Sequence, residues 1–599
     1  MGKYVFQKGD NYKIATVLMV ILFFILLLLT QFASSQLFEP GYSSYAAMFI
    51  IGTLASLTLI IKAFRMHEIV ALNAIDLSFV AFSLLLFLRW VGSDNSWIYS
   101  KAAITVALIP IYFFVKQFKS TYLIHLAIIS TGIIQIVVSI LQKTGYLLNT
   151  NASFEVGGTF GNPNILAMVL LLSIPSAFYF LYRPHSVLSK NLIICYALMA
   201  LLVIVFTKCR TALLGSIFAG IFTFFRGNNL TINRLTRLLV VSIFVIILGG
   251  FVFLIFEKSE SLFGRILIWQ SCFEKIIEKP LWGFGISSFH EIYPEAQRLF
   301  LEINSNTTYL KLADSPQWAY NDFVELFLEA GIFTAMAFSG ILISILYCWK
   351  TQKLFNFNRN NIAFLTVTIF FIMSTVNFAY TAWPVLLIFI INLAWSSRMC
   401  SNIIKFNAGQ KFRFGLVLAL IFLSGNIILG MEAGKNLQFQ YELKKIGTCT
   451  LARQHEFYLN TKEKYRYYAP YIYGYTSLLR GENNQQKAIE ILLQLKNQTP
   501  SFNTSYQLAE TFLELYDLNK AKFYYQEASE FLPNRIMPHF QLFMIERTEK
   551  NFKKADSIKT WILCNEFKGD AKIISQIKET LIKYKLDLEP IIKNTSINN

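Results

Sequence analysis

The chain has 599 residues, of which 55% are hydrophobic and 15% charged, and its mean hydropathy is +0.47. This excludes an ordinary soluble globular protein of that length and predicts a polytopic membrane protein. The net charge of +18 does not point to nucleic acid, because most of the excess Lys and Arg lies in short segments between apolar runs, where such residues set topology.

The first apolar run, IATVLMVILFFILLLLT from Ile14 to Thr30, matches the roughly 20 residues a spanning helix needs. It reads as a span rather than a cleaved leader, because its apolar stretch is long and more spans follow. Thirteen candidate spans begin near residues 14, 43, 70, 102, 121, 164, 189, 211, 236, 322, 361, 379 and 414. Basic residues mark alternate connections: Lys62/Arg65, Lys116/Lys119, Arg183/Lys190, Arg226/Arg234/Arg237, Lys350/Lys353/Arg359 and Arg398/Lys405/Lys411/Arg413. The positive-inside rule then predicts a cytoplasmic N-terminus and, with an odd number of spans, an extracytoplasmic C-terminus. The expected fold is all-α. A polytopic bundle of spans occupies 1–430 and carries a large extracytoplasmic loop at 257–320. A linker helix follows at 431–465, an α-helical repeat domain at 466–570, and a C-terminal helix and tail at 571–599.

Between the spans near 121 and 164 lies GGTFGNPN, Gly157 to Asn164. Glycine, asparagine and proline at this density predict a shaped turn that neither helix nor strand continues through. FTKCRTALLGS follows, with Lys208 and Arg210 on an outer connection, against the topological bias for basic residues. Interfacial anchoring accounts for such a pair, and so does an anion site.

The large loop reads ESLFGRILIWQSCFEKIIEKPLWGFGISSF over 260–289. Ile266, Ile268, Trp269, Cys272, Phe273, Ile276 and Ile277 recur at helical spacing, predicting an amphipathic helix that lies on the membrane or caps the bundle. Arg265 opens it and Gly283-x-Gly285 ends it; turn geometry explains those glycines as well as phosphate binding does. In AYNDFVELFLEAGIFTAMAF, Asp322, Glu325 and Glu329 stand at i, i+3 and i+7 and share a helix face. Carboxylates entering a span are costly unless they face partners or water. Asp76 and His125 are also intramembrane and line a path or are satisfied by neighbours, and among the histidines only His290 lies near these motifs in the outer loop. The seven cysteines, with no C-x-x-C spacing, imply neither a metal framework nor a disulfide scaffold; Cys449 and Cys564 read as free thiols able to pair across the tail.

In the tail, Lys487-Ala488, Lys520-Ala521 and Lys554-Ala555 recur at spacings of 33 and 34. With each Ala at position 20 of a tetratricopeptide unit, Pro500 and Pro533 fall at position 32, Ala509 at position 8 and Ala528 at position 27. Such an array offers a peptide-binding surface or a packing platform.

Four stretches in order, GGTFGNPNILAMVLLLSIP, CRTALLGS, GRILIWQSCFEKIIEKPLWGFGISSF and AYNDFVELFLEAGI, resemble the O-antigen ligase and polymerase superfamily, which includes bacterial O-oligosaccharyltransferases. The resemblance runs from roughly 150 to 400, and the repeat tail is similar to an appendage of some members. It implies a glycosyltransferase in the bacterial inner membrane, multi-pass, with active site and tail facing the periplasm. The donor it implies is a polyprenyl-diphosphate-linked glycan, and the acceptor a hydroxyl on a protein, the lipid A core or another glycan. Membrane lipids are the further partners, with no nucleic acid and no nucleotide or metal cofactor. Arg210 and Arg265, with Lys208, would bind the diphosphate, since guanidinium groups grip phosphate oxygens bidentately. Gly161, Asn162 and Asn164 would form a donor loop, although Pro163 and Asn164 also suit the start of a helix. Many members carry His-Asn where this chain has Tyr320-Asn321. A tyrosine with its ordinary pKa near 10 is a poor base at neutral pH. The catalytic candidates are therefore Tyr320, Asp322, Glu325 and His290, with Asp314 a further possible base and Asn321 and Glu329 in support. A polymerase is the nearer alternative; a polysaccharide or lipid transporter is the alternative of another class, with no repeat between the halves to favour it.

Overall fold

The structure is a computed structural model describing residues 49–60, 72–91, 101–117, 122–181, 190–226, 259–304, 307–351, 362–404, 408–465 and 468–584. Among them the regular structure is helical. In chain order the first seven helices are α1 (Phe49–Ile60), α2 (Ala74–Val91), α3 (Lys101–Lys116), α4 (Tyr122–Lys143), α5 (Pro163–Leu181), α6 (Lys190–Phe206) and α7 (Arg210–Arg226). The next seven are α8 (Ser259–Glu278), α9 (Phe289–Ile303), α10 (Thr307–Leu312), α11 (Asp322–Thr351), α12 (Ile362–Ser374), α13 (Trp383–Ser397) and α14 (Ala408–Ile446). The tail adds α15 (Leu451–Tyr465), α16 (Ala469–Gly481), α17 (Gln485–Gln498), α18 (Phe502–Glu514), α19 (Leu518–Phe531), α20 (Ile536–Thr548), α21 (Phe552–Cys564) and α22 (Ala571–Lys583).

Among the described residues, five helices are long and apolar enough to cross a membrane: Ala74–Val91, Tyr122–Lys143, Pro163–Phe180, Asp322–Thr351 and Gly415–Ile446. Five shorter apolar helices accompany them, at Phe49–Ile60, Thr105–Lys116, Lys190–Phe206, Ile362–Ser374 and Trp383–Ser397. The chain is a membrane protein. The expected spans beginning near 14 and 236 lie outside the described residues.

Two compact units are present. The first comprises residues 1–258, 280–287 and 320–442; the second comprises 259–279, 288–319 and 443–599. Most of the 257–320 segment belongs to the unit that contains the tail, and α14 continues past residue 430 to Ile446.

In the first unit, α12 and α13 form the central hairpin; nearly every residue of each is buried, and α2, α3, α5, α7 and α11 pack around them. Helices this short do not span alone; here the bundle rather than lipid surrounds them. At the end bearing Ser397, Asp76 accepts hydrogen bonds from Tyr112 Oη at 2.6 Å, Ser397 Oγ at 2.8 Å and the Asn73 amide at 2.7 Å, and it pairs with Lys116. A buried carboxylate so fully satisfied ties α2, α3 and α13 together. The pattern is that of a structural clamp. At the same end Cys348 and Cys400 form a disulfide with Cα atoms 5.6 Å apart. This corrects the expectation, drawn from spacing, that no disulfide is implied, since a separation of 52 residues says nothing about which helix ends meet. Cys449 and Cys564 are free.

The second unit is built on helix pairs α16/α17, α18/α19 and α20/α21. Ala488, Ala521 and Ala555 are fully buried, as are Ala509 and Ala528, where any larger side chain would force the helices apart. Ser501 and Asp517 cap α18 and α19 through the amides of Thr504 and Lys520. Onto the turn after α19 fold the loop's own helices. Leu267, Phe300, Leu301, Leu312 and Ala313 share a core with Leu532, and Asn534 Nδ2 donates to the carbonyls of Lys311 (2.8 Å) and Ala313 (2.7 Å).

Candidate active site

GGTFGNPN is held from α4. Gln142 Oε1 accepts from the amides of Gly157 (3.0 Å) and Gly158 (2.9 Å), while its Nε2 donates to the Gly158 carbonyl at 2.9 Å. Two turns away on the same helix, Gln135 Oε1 accepts from the Thr159 amide at 3.1 Å and its Nε2 donates to Thr159 Oγ1 at 2.8 Å. Two glutamines thus replace the partners a regular element would supply. Gly158 and Gly161 sit at φ +62° and +65°, a region glycine enters without penalty. Asn162 Oδ1 accepts from the Asn164 amide at 2.9 Å and caps α5, with Pro163 as its first residue. The helix-start reading thus describes where Asn162, Pro163 and Asn164 stand.

Lys208 and Arg210 occupy the tight turn between α6 and α7. Lys208 is exposed at φ +52°, and Arg210, half-buried, is the first residue of α7. A guanidinium at a helix N-terminus adds its full charge to the partial positive charge of unpaired amides, which suits an anion.

α11 starts under Asn321, whose Oδ1 accepts from the amides of Phe323 (3.0 Å) and Val324 (3.2 Å). Asn321 is a helix cap. Asp322, Glu325 and Glu329 are all buried, with exposures of 2%, 2% and 1%. The Tyr380 amide donates to Asp322 Oδ2 at 2.8 Å. Tyr320, just before the cap, holds a left-handed φ of +53° and sets its ring edge-on to Phe378 at 5.7 Å. For a residue other than glycine that conformation costs about 1–2 kcal/mol.

The glycines of GFG have a structural task. α11 breaks at Gly331 (φ +79°, ψ 178°), and the strap Pro280–Ser287 lies against the break. Phe284 and Gly285 donate to the carbonyls of Leu328 (2.9 Å) and Glu329 (2.8 Å), and the Ile332 amide donates to the Pro280 carbonyl at 2.9 Å. A Cβ on Gly283 would stand 2.6 Å from the Glu329 carbonyl, and one on Gly331 2.1 Å from that of Leu281. The strap meets α11 backbone to backbone, next to Glu329.

In the second unit, Arg265 is half-buried on α8 and His290 is exposed on α9. α8 buries Leu267, Ile268, Ser271, Cys272 and Ile276, while Phe273 and Ile277 are 48% and 77% exposed. Trp269 Nε1 donates to the Ala319 carbonyl at 2.9 Å, fixing the residue before Tyr320. Asp314 pairs with Arg535 at 3.2 Å and Lys568 at 3.5 Å. That pairing gives Asp314 a structural task within this unit.

Sequence reading missed Gln135, Gln142, Trp269, the α12–α13 turn and Arg89, whose Nη2 lies 3.4 Å from the Gly283 carbonyl. The two glutamines, polar positions in an apolar helix, were a visible signal; the others needed the fold.

No curated protein sequence matches the chain. Residues 195–339, the segment bearing Arg210, Arg265, the glycine strap and the three buried carboxylates, match the Wzy_C family model, described as O-Antigen ligase.

Proposed function

We propose that this protein transfers an oligosaccharide from a polyprenyl diphosphate to an acceptor hydroxyl, with inversion at the transferred carbon. The observation that carries the reading is that the ligase-type segment joins a half-buried arginine at a helix N-terminus to a helix whose three entering carboxylates are buried. In this reading the acceptor oxygen bonds to the anomeric carbon as its bond to the phosphate oxygen breaks. The polyprenyl diphosphate leaves with the electron pair, and the hydroxyl proton passes to a carboxylate.

Arg210 stabilises the negative charge that grows on the diphosphate, where a fixed cation contributes most, and Lys208 contributes at the rim. Arg265, in the other unit, keeps the role its resemblance implies and is tested separately. Asp322 is the preferred base, with Glu325 behind it, Glu329 and Asn321 in support, Tyr320 positioning, and His290 the alternative to be tested beside it. Gly161, Asn162 and Asn164 shape the donor loop. In this reading the site and tail face the periplasm from a bacterial inner membrane.

The helix pairs of the tail, read as tetratricopeptide repeats, favour a protein acceptor, because such arrays take extended peptides. Ligation to lipid A core is the second reading, favoured by the family description. The test is transfer by the purified full-length protein in nanodiscs from a lipid-diphosphate-linked oligosaccharide, offered a Ser/Thr peptide, a lipid A core and a second glycan. Arg210→Ala and Arg265→Ala should each lower turnover by roughly 10²–10³. Binding and movement of the lipid-linked glycan with no transfer to any acceptor would replace this reading with a transporter.

A further inference from the structure

Twelve buried side-chain polar atoms make no hydrogen bond within the protein among the described residues, and three of them lie within eight residues: Ser374 Oγ, Asn377 Nδ2 and Thr381 Oγ1. All three belong to the end of α12 and the turn to α13. Ser374 and Asn377 are completely buried, and Asn377 Oδ1 is engaged only by the neighbouring Phe378 amide at 3.0 Å. A buried polar atom left without a partner costs about 1–3 kcal/mol, and three in one turn are a concentrated cost.

The turn's position makes sense of that cost. Its Tyr380 amide is bonded to Asp322 at 2.8 Å, and its Phe378 ring lies 5.7 Å from that of Tyr320. The unpaired groups therefore belong to the loop that holds the first carboxylate of α11. One amide N–H₂ and two hydroxyls, none charged, supply no counter-charge for a diphosphate or an ammonium, and they match the hydroxyl and acetamido groups of a sugar.

We propose that Ser374, Asn377 and Thr381 form a saccharide-reading subsite that binds the sugar attached to the lipid diphosphate and sets donor specificity. This deepens the glycan-transfer reading and rests on it. The three are binding groups for uncharged sugar substituents; the diphosphate is left to the arginine.

The experiment uses the full-length protein in nanodiscs with two probes, undecaprenyl diphosphate carrying an N-acetylhexosamine-initiated oligosaccharide and undecaprenyl diphosphate without sugar. Ser374→Ala and Thr381→Val change one atom each and keep the shape; Asn377→Leu removes the amide. Each should weaken binding of the glycan-bearing lipid roughly three- to tenfold and leave the bare lipid's affinity unchanged. Thermal stability should hold or rise, because an unpaired buried polar atom has been removed. Wild-type binding of both lipids with no change in any variant overturns the subsite and leaves the transferase reading standing. Equal weakening toward both lipids also overturns it, since the effect is then structural. Failure of the wild type to bind either lipid overturns the transferase reading, and the subsite with it.

Discussion

The main-chain amide of Tyr380 donates a hydrogen bond to Asp322 Oδ2 at 2.8 Å, joining residues 58 apart in sequence. It ties the turn between α12 and α13 to the first turn of α11. A buried carboxylate that accepts from a backbone amide is oriented without being neutralised by a formal charge from that partner. One carboxylate oxygen is thereby fixed in direction.

Asp322→Asn keeps an oxygen for the Tyr380 amide while abolishing the basic charge. Glycan transfer should fall by roughly 10²–10⁴ with donor binding and thermal stability close to wild type. His290→Ala, measured in parallel, should change transfer little. If Asp322→Asn transfers within about threefold of wild type and His290→Ala does not, the base is His290.

Gly331→Ala tests the strap. The added methyl meets the Leu281 carbonyl, and the backbone at φ +79°, ψ 178° is closed to alanine. We expect a loss of about 3 kcal/mol or more, read as a lowered thermal midpoint and as protease cleavage within Pro280–Ser287. Gly340→Ala, farther along the same helix with nothing within 4 Å of the new methyl, should be neutral or stabilising. Equal behaviour of the two variants would show that the strap does not depend on the break.

Gln142→Leu leaves the amides of Gly157 and Gly158 and the Gly158 carbonyl without the partners they have now. At about 1–3 kcal/mol for each buried group, the turn should open, giving rapid hydrogen exchange at Gly157 to Thr159. Gln142→Glu keeps the acceptor and loses the donor, so protection should be intermediate. Wild-type exchange in Gln142→Leu would mean that the turn is shaped by its own glycines.

His539 gives the tail a pH dependence. It is packed 4.3 Å from the Trp561 ring and 6.0 Å from that of Phe567. Burial holds its pKa below the ordinary histidine value of 6.5, although its bond to the Pro533 carbonyl opposes the shift. The unfolded chain then binds the proton more readily than the folded one. Stability is full above about pH 6.5 and declines as pH falls below it toward the folded-state value. Corrected for the slower intrinsic exchange at lower pH, the protection of α20 and α21 in the full-length protein should fall between pH 6.5 and 5, and His539→Phe should flatten that response. An unchanged slope would assign it to other groups.

Much was legible in the chain itself. Apolar runs and their spacing were enough for an all-helical membrane protein, because helices are the means by which a chain of this composition satisfies its own backbone in lipid. The period of 33 and 34 in the tail was enough for helix pairs with alanine at their contacts, a local packing requirement that repeats. The face shared by Asp322, Glu325 and Glu329 follows from helix geometry alone.

What stayed hidden was every relationship between distant segments. Nothing local says that Gln142 closes on Gly158, that residues 281 and 331 touch backbone to backbone, that Cys348 meets Cys400, or that Asp314 is engaged by Arg535 and Lys568. The turn at 374–381 is the plainest case. Serine, asparagine and threonine are ordinary turn residues in sequence, and burial without partners is a property of surroundings that only the packed bundle provides. Sequence determined which elements form, since hydrophobic period and capping act over a few residues. Tertiary structure decided which polar groups those elements leave together, because that depends on how the helix ends converge.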